Sequence, residues 1–260
     1  MRFEHSAPVR AAFPGLVAGV LVATGITPDV SAGPRVAAFT GQARTRLSAG
    51  SEAGFPEIQA WRRAFAAMGV KPTQYRCAAE ALLRRLRIDG NLPRLHPLVD
   101  LCNAVSVAYA VPVAALDLDR ITGDLTVRHA HGDEEYLTFA GGVERPEPGE
   151  IVFADAAGRA HARRWTNRQS GWSAVRAETS RVLVVVEGLH STADADVTDL
   201  LDTLRTEVAV LWSPPAAHAL LTGARPAFEV PSVALPPQEV RRSPPAPGGG
   251  SRERSRPASR

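Results

Sequence analysis

Lysine is all but missing from this chain. Lys71 stands alone beside 29 arginines among 260 residues, a skew that reads as coding bias rather than recognition chemistry. Cysteine is nearly as scarce. Cys77 and Cys102 both lie in helical patterns, so they read as small buried thiols of a reducing compartment and not as a disulfide framework. No apolar run approaches the ~20 residues of a membrane-spanning helix, which points away from the membrane and toward the cytoplasm. The nearest imitation of a leader is residues 13–26, FPGLVAGVLVATGI, behind Arg2 and Arg10. Glu4 interrupts the basic stretch, glycines break the apolar run and no small-x-small cleavage site follows closely. Val17, Val20 and Val22 instead mark a buried strand.

Common catalytic signatures are missing too. There is no Gly-x4-Gly-Lys-Ser/Thr phosphate loop, no Gly-x-Gly-x-x-Gly turn after a strand and no Gly-x-Ser-x-Gly elbow. The seven histidines are scattered. His129 and His131 could form half a metal site, but no cysteine or further histidine accompanies them, so neither a metal nor a cofactor is expected.

What is present fills a core: 45% of the residues are hydrophobic, ordinary for a globular protein. The net charge of +3 is unevenly placed. Residues 213–260 hold seven arginines against three glutamates and ten of the 21 prolines. That composition cannot bury a core and is expected to be a disordered tail. The rest of the chain is slightly acidic, so no basic face for DNA is expected. The organisation expected is an N-terminal strand and loop (1–50), a domain at 51–212 and the tail at 213–260.

Hydrophobic periodicity gives the elements. A strand at 16–23 is followed by a loop to about residue 50. Phe55, Ile58, Trp61, Phe65 and Met68 share one face of a helix over 55–69, with Trp61 in the core. A second helix, 77–87, buries Ala79, Leu82, Leu83 and Leu86 and turns Arg84, Arg85 and Arg87 outward. Segments 124–130 and 134–140 alternate around His131-Gly132-Asp133 as one hairpin; 150–155 and 159–165 form another. Residues 166–180 read as a polar loop. The continuous run RVLVVVEGL (181–189) is a strand covered on both faces. A last helix starts near Asp194 and ends the fold at Trp212. The class is α+β, with mixed β-sheet layers flanked by helices.

Two places concentrate polar side chains. One is the helix that begins at Pro97, where proline suits the first turn. Leu98, Leu101, Cys102, Val105 and Tyr109 form its apolar face, and His96, Asp100 and Asn103 fall opposite. Val99 and Val107 flank that second face, so it is not a solvated one. A buried polar group left unpaired costs about 1–3 kcal/mol; Asp100 and Asn103 therefore either bond neighbouring backbone or line a cavity. The other place follows a strand: Arg163, Arg164, Trp165, Asn167, Arg168, Gln169 and Ser170. Arginine, amide and indole groups together suit an anionic, stacking ligand such as a nucleotide end.

A set of ordered blocks carries a resemblance. Val99-Asp100-Leu101-Cys102-Asn103-Ala104-Val105 is followed by Val111-Pro112-Val113-Ala114-Ala115-Leu116-Asp117, then by the strand at 124–130, by IVFADAAG, by Ser170-Gly171 and by Ala177-Glu178-Thr179-Ser180-Arg181-Val182-Leu183. Over roughly residues 52–212 the chain resembles the B-three/B-four editing domain of the phenylalanyl-tRNA synthetase beta subunit. Its block Trp165-Thr166-Asn167-Arg168-Gln169 is similar to that of stand-alone members. The resemblance implies the fold of that domain, a tRNA 3′ end or aminoacyl-tRNA as partner, and hydrolysis of a wrong amino acid from it. It implies Asp100, Asn103, Arg164, Trp165, Asn167, Arg168 and Gln169 as substrate-binding residues, with the adenine near Trp165. Ala114 stands where the family has a histidine, and Arg168 where it has a pocket glutamate. These departures remove a base and invert a charge, which argues against tyrosine as the substrate. They leave no catalytic residue assigned, and a non-catalytic tRNA-binding or protein-interaction module stays open. Oligomeric state is not legible in the sequence.

Overall fold

The computed structural model describes residues 1–231. In chain order the first elements are β1 (Arg2–His5), α1 (Ala7–Ala12), β2 (Val17–Thr24), α2 (Gly33–Ala49), α3 (Pro56–Ala67), α4 (Ala78–Asp89) and α5 (Pro97–Tyr109). Then come β3 (Val113–Asp117), β4 (Leu125–His129), β5 (Tyr136–Leu137), β6 (Val143–Glu144), β7 (Ile151–Ala154), β8 (Ala160–Arg163) and β9 (Arg168–Gln169). The last are β10 (Arg181–Gly188), α6 (Ala193–Leu211), β11 (Ala217–Leu221) and β12 (Ala227–Glu229).

The two long apolar runs are strand partners. β2 and β10 pair antiparallel along their whole length, from Arg181 opposite Thr24 to Gly188 opposite Val17. β3 flanks β10 and β11 flanks β2, giving a four-stranded sheet in the order β11-β2-β10-β3. Successive side chains of a strand point to opposite faces, and β10 divides accordingly. Val182, Val184 and Val186 pack with Leu98, Leu101 and Val105 of α5 and Leu200 and Leu204 of α6. Leu183 and Val185 join Phe3, Phe153, Trp61, Phe65 and Trp165 on the other side. Both faces are dry, which is why β10 reads as an unbroken β-branched run. Gly19 on β2 lets α6 approach closely: a Cβ there would meet Val197 Cγ1 at 3.2 Å.

The second sheet has six strands in the order β12-β1-β4-β7-β8-β9. β1 and β4 run parallel; its other neighbours are antiparallel. The architecture is thus the expected α+β: helices on one sheet, that sheet against a second, and α3 and α4 closing the far core.

Several expectations need correction. The segment before residue 50 is not a loop after a strand. It also holds β1, α1 and the 17-residue α2. α2 buries only Thr40 and Ala43, so it has almost no apolar stripe to betray it. Residues 124–140 do not form a hairpin. β4 pairs with β1 and β7, while β5 pairs with β6. The buried Glu134 carboxylate accepts the His131 and Gly132 N–H groups and the Arg128 guanidinium, which turns the chain out of the sheet. Nor does the fold end at Trp212. β11 and β12 close one edge of each sheet, so the segment from 213 is ordered at least to residue 231. The rest of the expected tail, 232–260, lies outside the described residues. Among the described residues no helix is long and apolar enough to cross a membrane.

The β7–β8 turn depends on another buried carboxylate. Asp155 accepts the N–H groups of Thr122 (3.0 Å), Ala157 (2.9 Å) and Arg159 (2.9 Å) and lies 3.2 Å from His161 Nε2. Burial pushes its carboxyl up, but the His161 ring and backbone N–H groups outweigh that and hold it at about 2. Glu134 is held at about 2 by the same balance, burial against backbone N–H groups and Arg128. Both folded values lie below the unfolded ones, so the stabilisation is present above about pH 4–5 and is lost as pH falls toward 2. Resistance to unfolding by denaturant should therefore fall steeply between about pH 5 and pH 2. Asp155→Asn should cost about 1–3 kcal/mol at pH 7 and flatten that dependence; an unchanged pH slope would contradict this account.

Candidate functional site

The site grows out of a strained turn. Directly after β8, Arg164 and Trp165 both take left-handed backbone conformations, φ 45° and 56°. Such residues cost of order 1–3 kcal/mol each and persist only when the surroundings hold them. Glu150 supplies much of that hold. Its carboxylate receives Arg163 Nε and Nη2, both at 3.0 Å, and the Arg164 N–H at 2.7 Å. The Trp165 N–H donates to the Ile151 carbonyl at 2.7 Å. The turn drives the Trp165 ring inward, edge-on to Phe13 and Trp61 at 4.9 Å each.

Beyond the turn the chain is pinned on both sides. The Thr166 carbonyl accepts the Ala78 N–H at the start of α4 (2.8 Å). Asn167 Nδ2 donates to the Arg76 carbonyl (2.7 Å) and Gln169 Nε2 to the Ala115 carbonyl on β3 (2.7 Å). Between these anchors lies a cavity of about 60 Å³, bounded by residues 165–169, by Ala78, by Pro112–Ala114, and by Phe153, Ala162, Val185 and Glu187. It sits where the two sheets meet, with an apolar floor.

Three polar groups stand in that apolar setting. Glu187 is 2% exposed; its Oε1 accepts both His5 Nε2 (2.6 Å) and Trp165 Nε1 (2.7 Å). Thr166 Oγ1 and Asn167 Oδ1 are buried and have no partner among the described residues. Arg168 stands at the rim with nearly half its side chain exposed, 3.6 Å from Glu144 and with its guanidinium 5.4 Å from the centre of the Tyr136 ring. Arg164 lies over the Tyr75 ring at 4.3 Å. Burial raises the Tyr136 phenol above its usual pKa despite the neighbouring arginines.

Of the residues expected to bind substrate, Trp165, Asn167, Arg168 and Gln169 line this cavity, and Arg164 sits on the turn behind it. Trp165 cannot act as an open stacking platform: it is fully buried and its indole N–H is committed to Glu187. Asp100 is elsewhere. It borders a separate cavity of about 420 Å³ between α2 and the N-terminus of α5, with Thr40, Arg44, Asn91 and Arg94. Its Oδ1 accepts the Leu95 N–H at 2.8 Å, which pins the approach to the helix. Asn103 is half-buried on α5 and borders neither cavity. The apolar face of α5 packs on the helical side of the four-stranded sheet, whereas Val185 and Glu187 line the other. The two polar concentrations therefore do not converge.

Glu187 and His5 are not among the residues expected from the sequence. Glu187 had a signal: it is the sole charge inside the apolar run from Val182 to Leu189. His5 had none, because only the pairing of the sheets brings β1 to β10. Ala114, singled out in the sequence, lines the same cavity. A separate surface group, His131, Asp133 and Glu134, has ligand-type atoms within 4.8 Å of one another. Glu134 is already taken by Arg128 and two backbone N–H groups, so the group reads as a turn.

Comparison with known proteins gives one family. The profile of the B3/4 domain matches residues 60–208. Phenylalanine–tRNA ligase beta subunits match over shorter segments. That of Fusobacterium nucleatum is 34% identical over 86 residues, covering 33% of this chain and 11% of the relative. That of Shewanella oneidensis is 38% identical over 74 residues, covering 28% and 9%. The matched segments thus span about a tenth of those relatives. An N-terminal fragment of the phenylalanyl-tRNA synthetase beta subunit from Pyrococcus horikoshii superposes with a TM-score of 0.42 at 9% identity, over 79% of this chain and 48% of that one.

Core and rim should separate in stability measurements. Trp165→Phe removes the indole N–H from a buried carboxylate and should cost about 1–3 kcal/mol in denaturant unfolding at pH 7. Arg168→Ala, at a half-exposed position with a loose ion pair, should change stability by about 0.5 kcal/mol or less. Equal losses from the two would contradict this division.

Proposed function

The chain belongs to the B3/4 domain family, and we propose that it binds the aminoacylated 3′ end of a tRNA and hydrolyses the ester that joins the amino acid to the terminal ribose. One observation carries this reading. Adjacent residues, Thr166 and Asn167, line the cavity, and each holds a buried side-chain oxygen with no hydrogen-bond partner among the described residues. Buried polar groups are normally bonded, so a pair left free beside an opening suits a ligand. The cationic Arg168 at the rim adds a phosphate contact.

The chemistry is acyl transfer to water. Water attacks the carbonyl carbon, the bond to the ribose oxygen breaks, and a proton passes to that leaving oxygen. The Thr166 hydroxyl is free to donate to the carbonyl oxygen as negative charge develops there, the role of an oxyanion donor. Ala114 offers no group that takes a proton, so the neighbouring ribose hydroxyl of the substrate relays it. A second reading follows from the same residue: with a methyl group at Ala114, the pocket holds aminoacyl-tRNA without turning it over.

A panel of mischarged tRNAs separates the two. Release of amino acid above buffer for at least one member is expected, and Thr166→Val should slow it by about tenfold or more without lowering the melting temperature. Binding without release from any member would leave the non-catalytic reading; neither binding nor release would sink both. Arg168→Ala should weaken binding across tRNAs alike and reduce the salt slope by about one.

A further inference from the structure

Apart from the Thr166 hydroxyl and Arg168 at the rim, the donors around the cavity are spent. His5 Nε2 and Trp165 Nε1 are both spent on Glu187 Oε1. Asn167 Nδ2 is spent on the Arg76 carbonyl and Gln169 Nε2 on the Ala115 carbonyl. Acceptors remain: Asn167 Oδ1 is unpartnered, and neither hydrogen bond to Glu187 uses Oε2. Arg10 is an electrostatic neighbour of Glu187 but forms no ion pair with it. His5 Nδ1 is buried without a partner. Among the described residues no arginine makes a direct ion pair with Glu187, and a buried carboxylate gains from each further donor that reaches it. The chamber is also small. About 60 Å³ is less than half of the roughly 150 Å³ that an apolar protein cavity needs to take up benzene.

Resting on the aminoacyl-ester reading above, we propose that Glu187 is the counter-ion for the α-ammonium group of the bound aminoacyl moiety, and that the chamber beside it admits only small side chains, of glycine, alanine or serine size. The ammonium brings a positive charge and donors to the two free acceptors, bonding Glu187 Oε2 and Asn167 Oδ1. The apolar floor of Phe153, Ala162 and Val185 then takes a side chain of one or two heavy atoms, and an aromatic ring is excluded by volume.

Binding of three non-hydrolysable probes to the full chain, followed by calorimetry, tests this. The probes are 3′-(L-alanylamino)-3′-deoxyadenosine, its propionylamino counterpart without the amine, and its L-phenylalanyl counterpart. The alanyl probe should bind at least about tenfold more tightly than either of the others, the scale of a charge-assisted hydrogen bond. Glu187→Gln should remove the preference for the amine while leaving the preference against phenylalanyl. The comparison of probes on the unaltered protein stands even if that variant folds poorly. Equal binding with and without the amine, or phenylalanyl binding as tight as alanyl, would overturn this inference and leave aminoacyl binding intact. No binding of any probe would overturn both.

Discussion

A single carboxylate oxygen joins the parts of this fold. Glu187 Oε1, in the middle of an otherwise apolar strand, receives His5 from the six-stranded sheet and Trp165 from the turn after β8. Each donor comes from a segment far away in sequence, and each would be left unsatisfied in the dry core without it. Inside a protein such bonds are strong and an unmade one is costly. The apposition of the two sheets, the inward position of the indole and the floor of the cavity are therefore set by one group.

The turn at Arg164 and Trp165 shows the complementary cost. Two consecutive left-handed residues without glycine are held by Glu150, which takes the Arg163 guanidinium and the Arg164 N–H. The strain aims one side chain into the core and delivers Thr166–Gln169 to the cavity rim, pinned there by Arg76, Ala78 and Ala115. Backbone strain of this kind gathers at functional sites, where surrounding structure over-determines it. Thr166 and Asn167, whose side-chain oxygens are buried without partners among the described residues, directly follow the strained pair.

Two residues singled out by the resemblance, Ala114 and Arg168, lie at the same cavity. Ala114 lines it and Arg168 edges it. A methyl group and a half-exposed guanidinium stand there, and Glu187 is the buried carboxylate of the site. Specificity in such pockets comes from the groups a ligand must satisfy as much as from volume.

Much of the fold is legible in the amino-acid sequence. The strands β2 and β10, the helices α3 to α6 and the β7–β8 hairpin announce themselves by periodicity, because each buries a face or both faces against a core. α2 does not, since its few buried residues are Thr40 and Ala43. β11 and β12 do not either, because their Pro-rich surroundings hide short strands that exist only by docking on finished sheet edges. The site is half legible: the composition of 163–170 marks polar density, but composition is silent on direction. The sequence by itself determined which residue types were available and which runs had to be buried. Only the tertiary structure decided that Trp165 turns inward, that Asp100 lies at another cavity and that His5 meets Glu187. Those facts depend on how the two sheets pack face to face, a long-range arrangement that no local pattern encodes.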